Sequence, residues 1–313
     1  CMIVKNEEHT LARCLSCAAL LADEIVVVDT GSTDRTKEIA SQFTDCIFDF
    51  SWCDDFSAAR NYSYEQATQE YILWLDADDI LLVDDIVRLQ ALKQTLDPDV
   101  DVVMLPYHTG FDEQGRVTFS YYRERLSKRS RGFRWQEPVH EYLQTDGRVL
   151  CFDAAVTHAK PVSDEPAAPG ERNLHIYENL LSQGRPLSPR GQYYYARELK
   201  DHARYEDALR QFTAFLDSGA GWSEDCIAAC GEMSRCLQAL KQPESALLAL
   251  FRSFIYDTPR PEVCCQLGYA YAERQDYRRA AFWFEAALRA EAPAAKGAAA
   301  RSRRKCRRRW CSS

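Results

Sequence analysis

Three short stretches of the chain place carboxylates directly after apolar residues. "VVVDTGSTD" ends an apolar run at Asp29, "LWLDADD" ends another at Asp76 and Asp78, and "VKNEE" follows a third at residues 4–8. Two carboxylates one residue apart can hold Mg²⁺ or Mn²⁺, which take oxygen ligands and keep phosphate oxygens in their shell. Such an ion neutralises the charge on a leaving phosphate. The pattern therefore predicts a metal-assisted site for a phosphate-containing substrate.

The elements around these acids alternate between strand and helix. The apolar runs "CMIV", "EIVVVD", "CIFDF", "YILWL" and "VDVVML" are separated by helical patterns. Continuously apolar strands in such an alternation predict a parallel sheet covered by helices on both faces. Ligands of open α/β sheets bind outside the carboxyl ends of the strands, so we expect the acids to converge there. Residues 111–157, richer in aromatic and basic side chains, predict a mixed sheet edge that completes the same domain.

The second half of the chain is helical throughout and repeats itself. Ala208, Ala246 and Ala280 recur at steps of 38 and 34 residues, next to similar helical patterns. This step is close to the tetratricopeptide period of about 34 residues, in which paired helices stack and offer a concave surface to peptides or partner subunits. The boundaries predicted from these patterns are 1–159 for the first domain, 160–172 for a linker rich in proline, 173–293 for the helical domain and 294–313 for a basic, disordered tail.

Composition fits an ordinary globular protein and excludes several classes. The 313 residues are 46% hydrophobic and 27% charged, with a net charge of −8. No run approaches the ~18 apolar residues of a membrane span, and no secretory signal is visible, which predicts a cytoplasmic protein without a transmembrane segment. The 13 cysteines are odd in number, which argues against a disulfide framework. The basic tail is expected to be solvated, and no nucleic-acid partner is expected.

Five motifs together carry a family resemblance. "MIVKNEE", "EIVVVDTGSTDRT", "WCDDFSAARN", "LWLDADD" and "WQEPVHE", spread over residues 2–142, resemble the family 2 glycosyltransferases with the GT-A fold in their order and spacing. The helical half adds a resemblance in architecture to the sublancin-type peptide S-glycosyltransferases. The resemblance implies a GT-A, Rossmann-like mixed sheet covered by helices, followed by an all-α tetratricopeptide-like domain. It also implies inverting transfer of a sugar from a nucleotide diphosphate, usually UDP.

The resemblance assigns roles to the residues of the donor site. Asp29 matches the acid that reads the base, usually uracil. Arg60 and Asn61 match the pair that lines the nucleotide pocket. Asp76 matches the acid near the ribose, and Asp78 matches the acid that holds the divalent metal, Mn²⁺ or Mg²⁺.

Further residues follow the same resemblance with alternatives left open. His158 is the candidate that completes the metal shell, and His140 is its rival. An inverting transfer needs a base that deprotonates the acceptor. Glu141 is preferred for this role, with Glu137 and His140 as alternatives. Trp135 is expected to form a wall of the sugar or acceptor pocket.

Simpler interpretations exist for several of these residues. Asp29 could only hold the turn that follows it, Arg60 could form a surface ion pair, and His158 could be an ordinary histidine at a strand end. The basic stretch "RLSKR", residues 125–129, either meets the diphosphate or forms a solvated strand. A nucleotidyltransferase is disfavoured because no Gly-rich, basic loop follows the first strand.

The acceptor is open at this point. The helical half favours a peptide or protein side chain, a cysteine or a serine, or else a homodimer contact. One alternative is a cell-surface glycan or lipid-linked acceptor. The other is a binding protein without catalytic activity, in which the helical repeats do the work and the nucleotide-sugar domain is inactive.

Overall fold

The computed structural model describes residues 1–159 and 170–290. Most of the predicted linker and the whole predicted tail therefore lie outside the described residues. The described residues fall into two compact units, 1–159 and 170–290. Each unit is described by itself below.

A parallel sheet forms the first part of the N-terminal unit. It consists of β1 (Met2–Val4), β2 (Val27–Asp29) and β3 (Ile47–Asp49), with β2 in the middle. The next strand, β4 (Tyr71–Leu73), continues this layer beside β1. The backbone nitrogen of Cys1 donates to the Leu73 carbonyl at 2.8 Å, and the amide of Leu75 donates to the Cys1 carbonyl at 3.3 Å.

The sheet beyond β4 is mixed, as the resemblance implied. The strand order is β4-β7-β6-β11-β5, with β10 also paired to β6. Pairings β4–β7, β6–β7 and β5–β11 are antiparallel, whereas β6 pairs in parallel with β10 and β11. The strands are β5 (Asp79–Leu81), β6 (Val102–Phe111), β7 (Val117–Lys128), β10 (Val149–Cys151) and β11 (Val156–His158), and a separate hairpin is formed by β8 (Arg134–Gln136) and β9 (Tyr142–Gln144).

Four helices cover this layer. They are α1 (Leu11–Ala18), α2 (Thr36–Ala40), α3 (Phe56–Gln66) and α4 (Val83–Thr95). Buried residues of α1 lie at positions 11, 14, 15 and 18, the spacing of one helical face, and they pack on the sheet core. The Asp55 carboxylate accepts the Ala58 amide at 2.9 Å and so caps the start of α3.

The acidic motif is a turn rather than the end of one long strand. The sequence places Asp76 and Asp78 at the end of the apolar run "YILWL", but β4 already ends at Leu73 and a second strand, β5, begins at Asp79. The amide of Asp79 donates to the Asp76 carbonyl at 3.0 Å, and the amide of Asp76 donates to Asp79 Oδ2 at 3.0 Å. The turn reverses the chain, so β5 pairs with β11 and carries the acids to that edge of the sheet.

The C-terminal unit consists of paired helices. Its helices are α5 (Glu171–Ser182), α6 (Pro189–Asp201), α7 (Tyr205–Asp217), α8 (Ser223–Ala239), α9 (Pro243–Arg252), α10 (Pro261–Glu273) and α11 (Tyr277–Arg289). The pairs α6–α7, α8–α9 and α10–α11 pack closely. The repeated alanines Ala208, Ala246 and Ala280 are all buried, on the second helix of each pair. Across the described residues, every helix is too short or too polar to span a bilayer.

Candidate functional site

Asp29 uses its two carboxylate oxygens differently. It is the last residue of β2 and is only 2% exposed. Its Oδ1 accepts the amides of Gly31 and Ser32, each at 2.9 Å, so it holds the turn that follows the strand. Its Oδ2 is buried and has no hydrogen-bond partner among the described residues. A buried acceptor without a donor is costly, so this oxygen is suited to the N–H of a ligand.

Arg60, on α3, joins two of the predicted acids. Its Nη2 donates to Asp76 Oδ1 at 2.7 Å, and its Nε donates to Glu141 Oε1 at 2.7 Å. Its guanidinium lies 5.1 Å from the Trp74 ring centre and 4.8 Å from that of Trp135. Arg60 is buried, so it forms an internal double ion pair and not the surface pair considered from the sequence.

The charges of this cluster hold Asp76 ionised. Burial alone would raise the pKa of Asp76, but the Arg60 and Arg125 guanidiniums outweigh it and lower the pKa to about 2. For Arg60 itself, burial would lower the pKa, and the Asp76 and Glu141 carboxylates raise it overall. The Asp76 side chain is still 35% exposed, so an ionised carboxylate faces solvent at the sheet edge.

Asn61 and Trp135 connect α3 to the β8–β9 hairpin. The Asn61 side chain accepts the Trp135 amide at 2.9 Å and donates to the Trp135 carbonyl at 3.0 Å. The Trp135 ring is 2% exposed and packs edge-on against Trp74 and Tyr64. Asn61 thus ties α3 to the hairpin, and the buried Trp135 ring packs against the Arg60 guanidinium.

The loop between β8 and β9 carries the three candidate bases on an unusual backbone. Glu137 and His140 have φ values of 74° and 55°, a region that residues other than glycine adopt at a cost. The loop is fixed to the start of α3, because the Ser57 hydroxyl donates to the Glu137 carbonyl and the Phe56 amide donates to the Pro138 carbonyl. Side-chain position in this loop is thus set by two elements.

Asp78, Asp79 and His158 form a cluster with the donor atoms of a cation site. One potential ligand atom from each lies within 4.8 Å of the others. His158 Nδ1 is 3.5 Å from Asp78 Oδ1 and 3.8 Å from Asp79 Oδ1. The nearby carboxylates of Asp78 and, next, Asp79 raise the pKa of His158 to about 9. Asp78 and His158 are both partly exposed, so an ion could reach them from solvent.

Asp79 differs from its neighbours because it is already saturated. It is fully buried, its Oδ2 lies 2.9 Å from Arg125 Nη1, and its Oδ1 accepts the Tyr107 hydroxyl at 2.9 Å. The same hydroxyl lies 3.1 Å from His158 Nδ1. The Asp78 carboxylate and the His158 imidazole both face solvent. Such a pair fits a divalent cation that keeps phosphate oxygens in its shell. Of the three residues, Asp78 and His158 are the ones that are partly exposed, whereas Asp79 is held by Arg125 and Tyr107.

The basic stretch that might have met a diphosphate is divided between two locations. Arg125 is fully buried, on Asp79 and against the Trp74 ring. Lys128 pairs in register with Tyr71 at the beginning of β4, the end of that strand opposite to Asp76. Arg129 Nε donates to the Gln69 carbonyl at 2.7 Å. In this structure the stretch supports the acidic turn from behind, through Arg125.

The structure thus brings the predicted residues together in two groups at one sheet edge. Arg60, Asp76 and Glu141 form the first group, and Asp78 with His158 forms the second. The acidic turn joins the two groups. Tyr107, Arg125 and the saturated role of Asp79 were not foreseen. Tyr107 lies on β6 and Arg125 on β7, both distant in sequence from the acidic turn. The sequence therefore pointed to this support only through the presence of a third acid, Asp79, in "DADD".

Known proteins resemble the chain in both halves. The family model "Glycosyl transferase family 2" matches residues 1–155. A TPR repeat-containing protein of Synechococcus elongatus is 38% identical over 144 residues, covering 46% of this chain and 34% of that protein. The SPbeta prophage-derived glycosyltransferase SunS of Bacillus subtilis is 27% identical over 217 residues, covering 66% of this chain and 50% of that protein.

A third relative is named for a glycan-building process. The lipopolysaccharide core biosynthesis glycosyltransferase LpsC of Rhizobium meliloti is 27% identical over 176 residues, covering 52% of this chain and 64% of that protein. The chain thus spans between 34% and 64% of the length of these relatives. The match to the family model covers strands β1 to β10, the acidic turn and the loop between β8 and β9, and it ends directly before β11. The N-terminal unit of this chain is a member of glycosyl transferase family 2.

Proposed function

We propose that the chain is an inverting, metal-dependent glycosyltransferase that moves a sugar from a UDP-sugar to a peptide or protein side chain, a cysteine or a serine. Three observations support the proposal: an Asp29 oxygen that is buried and has no hydrogen-bond partner among the described residues, an ionised Asp76, and the Asp78–His158 pair. Family membership of residues 1–155 supports it.

In the proposed donor site each residue has a separate task. Asp29 Oδ2 accepts a hydrogen bond from the N–H of uracil, since it is a buried carboxylate oxygen without a hydrogen-bond partner among the described residues. Asp76 accepts a hydrogen bond from a ribose hydroxyl, while Arg60 keeps the Asp76 carboxylate ionised. Asp78 and His158 would hold Mn²⁺ or Mg²⁺, which neutralises charge on the departing diphosphate. Asn61 and Trp135 fix the hairpin that closes this region.

The proposed base is Glu141. One of its oxygens is held by Arg60, which fixes the direction of the carboxylate. Its other oxygen accepts the proton of the acceptor while the acceptor attacks the anomeric carbon from the face opposite the diphosphate. The bond from that carbon to the diphosphate oxygen breaks, the nucleoside diphosphate leaves, and the configuration inverts. Glu137 and His140 stay alternatives for this role.

The proposal of a peptide acceptor rests on the stacked helix pairs of the C-terminal unit. A stacked array of helix pairs offers an extended surface of the kind that holds peptides, and the sequence resembles the sublancin-type peptide S-glycosyltransferases. A cytoplasmic location and a homodimer formed through the helical unit also stay predictions.

A glycan acceptor is the second candidate. The similarity to LpsC, which is named for lipopolysaccharide core biosynthesis, favours a cell-surface glycan or lipid-linked acceptor. The two candidates share the donor site described above, so they are separated by acceptor and not by donor experiments.

A donor screen tests the proposal. The full chain is incubated with UDP-glucose, UDP-N-acetylglucosamine, UDP-galactose or GDP-mannose, each with Mn²⁺, Mg²⁺ or EDTA, and release of the nucleoside diphosphate is measured. We expect metal-dependent release from one UDP-sugar. A preference for GDP-mannose would contradict the uracil role of Asp29. The absence of release and of any thermal shift with every donor would support an inactive domain carried by a helical binding protein.

A further inference from the structure

The hydroxyl of Tyr107 lies between Asp79 and His158. It donates to Asp79 Oδ1 at 2.9 Å and lies 3.1 Å from His158 Nδ1. Tyr107 is buried, and its ring packs against the Arg125 guanidinium, 4.3 Å from the ring centre, and edge-on against Tyr121. The hydroxyl is therefore held in place, and it directly links a buried carboxylate to one of the two residues proposed to hold the metal.

The sheet sets the positions of these three residues. Tyr107 is on β6, Asp79 is on β5, and His158 is on β11, which pairs with both of these strands. His158 lies opposite Asp79 in the antiparallel pair, and Val156 lies opposite Tyr107 in the parallel pair. Because paired strands carry all three side chains, the contacts among them do not depend on a loop.

The hydrogen of the Tyr107 hydroxyl is directed to Asp79. The other oxygen of that carboxylate, Oδ2, lies 2.9 Å from Arg125 Nη1 and accepts the Asp76 amide at 3.0 Å. A carboxylate that pairs with a guanidinium accepts hydrogen bonds and does not donate them, and a tyrosine hydroxyl has a single hydrogen. That hydrogen is used on Asp79 Oδ1, so toward His158 the hydroxyl oxygen can only accept.

The oxygens that the structure places near His158 Nδ1 are acceptors. Besides the Tyr107 oxygen at 3.1 Å, Asp78 Oδ1 lies 3.5 Å and Asp79 Oδ1 lies 3.8 Å from this nitrogen. A ring nitrogen among acceptors is stabilised when it carries a hydrogen, and in the neutral imidazole the other nitrogen then has the free electron pair. Metal ligation needs a nitrogen without a hydrogen. The nitrogen left for a cation is therefore Nε2, on a side chain that is 32% exposed.

We propose that Tyr107 is a positioning residue of the metal site. It accepts from His158 Nδ1 while it donates to Asp79, and so it orients the imidazole with Nε2 as the ligand of the divalent cation. In metal sites the second N–H of a ligating histidine commonly donates to an oxygen, which fixes the tautomer and the direction of the ring. This inference rests on the proposed function only through the metal-holding role of His158, and it adds which nitrogen binds and which side chain directs it.

One experiment identifies the ligating nitrogen in the unchanged full chain. The histidines are labelled with ¹⁵N, Zn²⁺ is the diamagnetic probe, and long-range ¹H–¹⁵N NMR spectra are recorded with and without UDP. Nε2 couples to both carbon-bound hydrogens of the ring and Nδ1 mainly to one, and the His158 signals are assigned by their loss in His158→Gln. We expect Zn²⁺ to shift the Nε2 signal while Nδ1 keeps its hydrogen. Binding through Nδ1, or His158 signals that do not respond to Zn²⁺, would overturn the proposal.

A second experiment measures what the hydroxyl contributes. Mn²⁺ binding is followed through the electron paramagnetic resonance signal of free Mn²⁺, with and without UDP, in the unchanged chain, Tyr107→Phe and Tyr121→Phe. Both variants keep the aromatic ring and lose only a hydroxyl. Tyr121→Phe is the matched control, because Tyr121 is the partner of Tyr107 in the β6–β7 pair and the two rings pack together.

We expect Tyr107→Phe to weaken Mn²⁺ binding by about tenfold or more, the usual effect of removing the hydrogen-bond partner of a metal ligand. Tyr121→Phe should bind Mn²⁺ as the unchanged chain does. The affinity for UDP in EDTA should be the same in all three proteins, which separates the positioning of His158 from a general loss of structure.

Two results would overturn the role of Tyr107 while the metal site stands. They are an equal Mn²⁺ affinity of the two variants, and a fall in the metal-free UDP affinity of Tyr107→Phe as large as the fall in its Mn²⁺ affinity. An unchanged chain that binds no Mn²⁺ with or without UDP would overturn the proposal together with the metal site. Sugar transfer itself is decided separately, by the donor screen.

Discussion

At the scale of single residues, the site depends on side chains that serve two partners at once. Arg60 binds both Asp76 and Glu141. Asp29 holds a turn with one oxygen, while the other has no hydrogen-bond partner in the part of the chain that the structure describes. Asp79 is saturated by Arg125 and Tyr107, which leaves Asp78 free to act. Because each of these side chains has two partners, a conservative substitution can remove one interaction and keep the other. Effects on binding, catalysis and stability can then be measured separately.

Asp29→Asn tests how the base is read. The asparagine oxygen can still accept the amides of Gly31 and Ser32, so we expect little loss of stability. The amide nitrogen would then stand where Oδ2 stood and would donate to N3 of cytosine instead of accepting from uracil. We predict that UDP inhibits the variant about tenfold less well, while CDP inhibits it better than it inhibits the unchanged chain. Inhibition constants for both nucleotides measure this, and an unchanged preference for UDP would refute it.

Glu141→Gln tests the base. Glutamine keeps an oxygen that can accept from Arg60 Nε, so the fold should hold. Loss of a general base lowers the rate by about 100-fold or more, and we expect kcat to fall by that factor with KM for the donor nearly unchanged. Glu137→Gln and His140→Gln are the matched changes in the same loop. A larger fall in kcat for either of them would transfer the role to that residue.

At the scale of elements, the hairpin β8–β9 is positioned by α3. The paired hydrogen bonds between Asn61 and the Trp135 backbone, with the bond from Ser57 to the Glu137 carbonyl, fix the loop that carries the candidate bases. Geometry in this loop is therefore determined by helix–hairpin contact and not by the loop alone.

Asn61→Ala should loosen that contact. Two buried backbone groups of Trp135 lose their partner, which costs about 2 kcal/mol of the free energy of unfolding. We expect kcat to fall more than donor affinity, because Asp29 and Asp78 are on other elements. Gln66→Ala, on the last turn of the same helix, is the control. Urea unfolding and steady-state kinetics measure both effects, and equal behaviour of the two variants would show that the contact has no such role.

The sequence predicted much at this scale because strand and helix periods are local. Strands β1, β2 and β3, the acids at their carboxyl ends and the paired helices with buried Ala208 and Ala280 follow from such patterns. The turn at Asp76–Asp79 was missed because an apolar run gives no sign of a strand that ends early. The support from Tyr107 and Arg125 depends on strand order in a mixed sheet, which a single sequence does not reveal.

At the scale of the whole molecule, each unit has its own core. The N-terminal core gathers residues of α1, α4 and the sheet, and a separate core includes Leu250, Leu267 and Phe284 of the helical unit. Because the cores are separate, we expect a core substitution in one unit to lower the stability of that unit only.

Gly268→Ala tests this separation. A Cβ added at Gly268 would lie 2.6 Å from a ring carbon of Phe284, so the ring must shift. Overpacking of this kind costs about 1–3 kcal/mol. We predict that calorimetry shows a lowered transition for the helical unit and that donor hydrolysis is unchanged at temperatures below it. Gly184→Ala, with open space around it but a φ of 72°, separates backbone strain from crowding. A fall in donor hydrolysis that tracks the lowered transition would contradict the separation.

The central claim is that Asp78 and His158 hold the divalent ion that binds the donor diphosphate, and calorimetric titration of UDP tests it most directly. The titration compares the unchanged chain, Asp78→Asn and the exposed control Asp153→Asn, each with Mn²⁺ and with EDTA. The account predicts that Mn²⁺ strengthens UDP binding to the unchanged chain and to Asp153→Asn, and that Asp78→Asn binds weakly in both conditions. Mn²⁺-enhanced binding that persists in Asp78→Asn would contradict it.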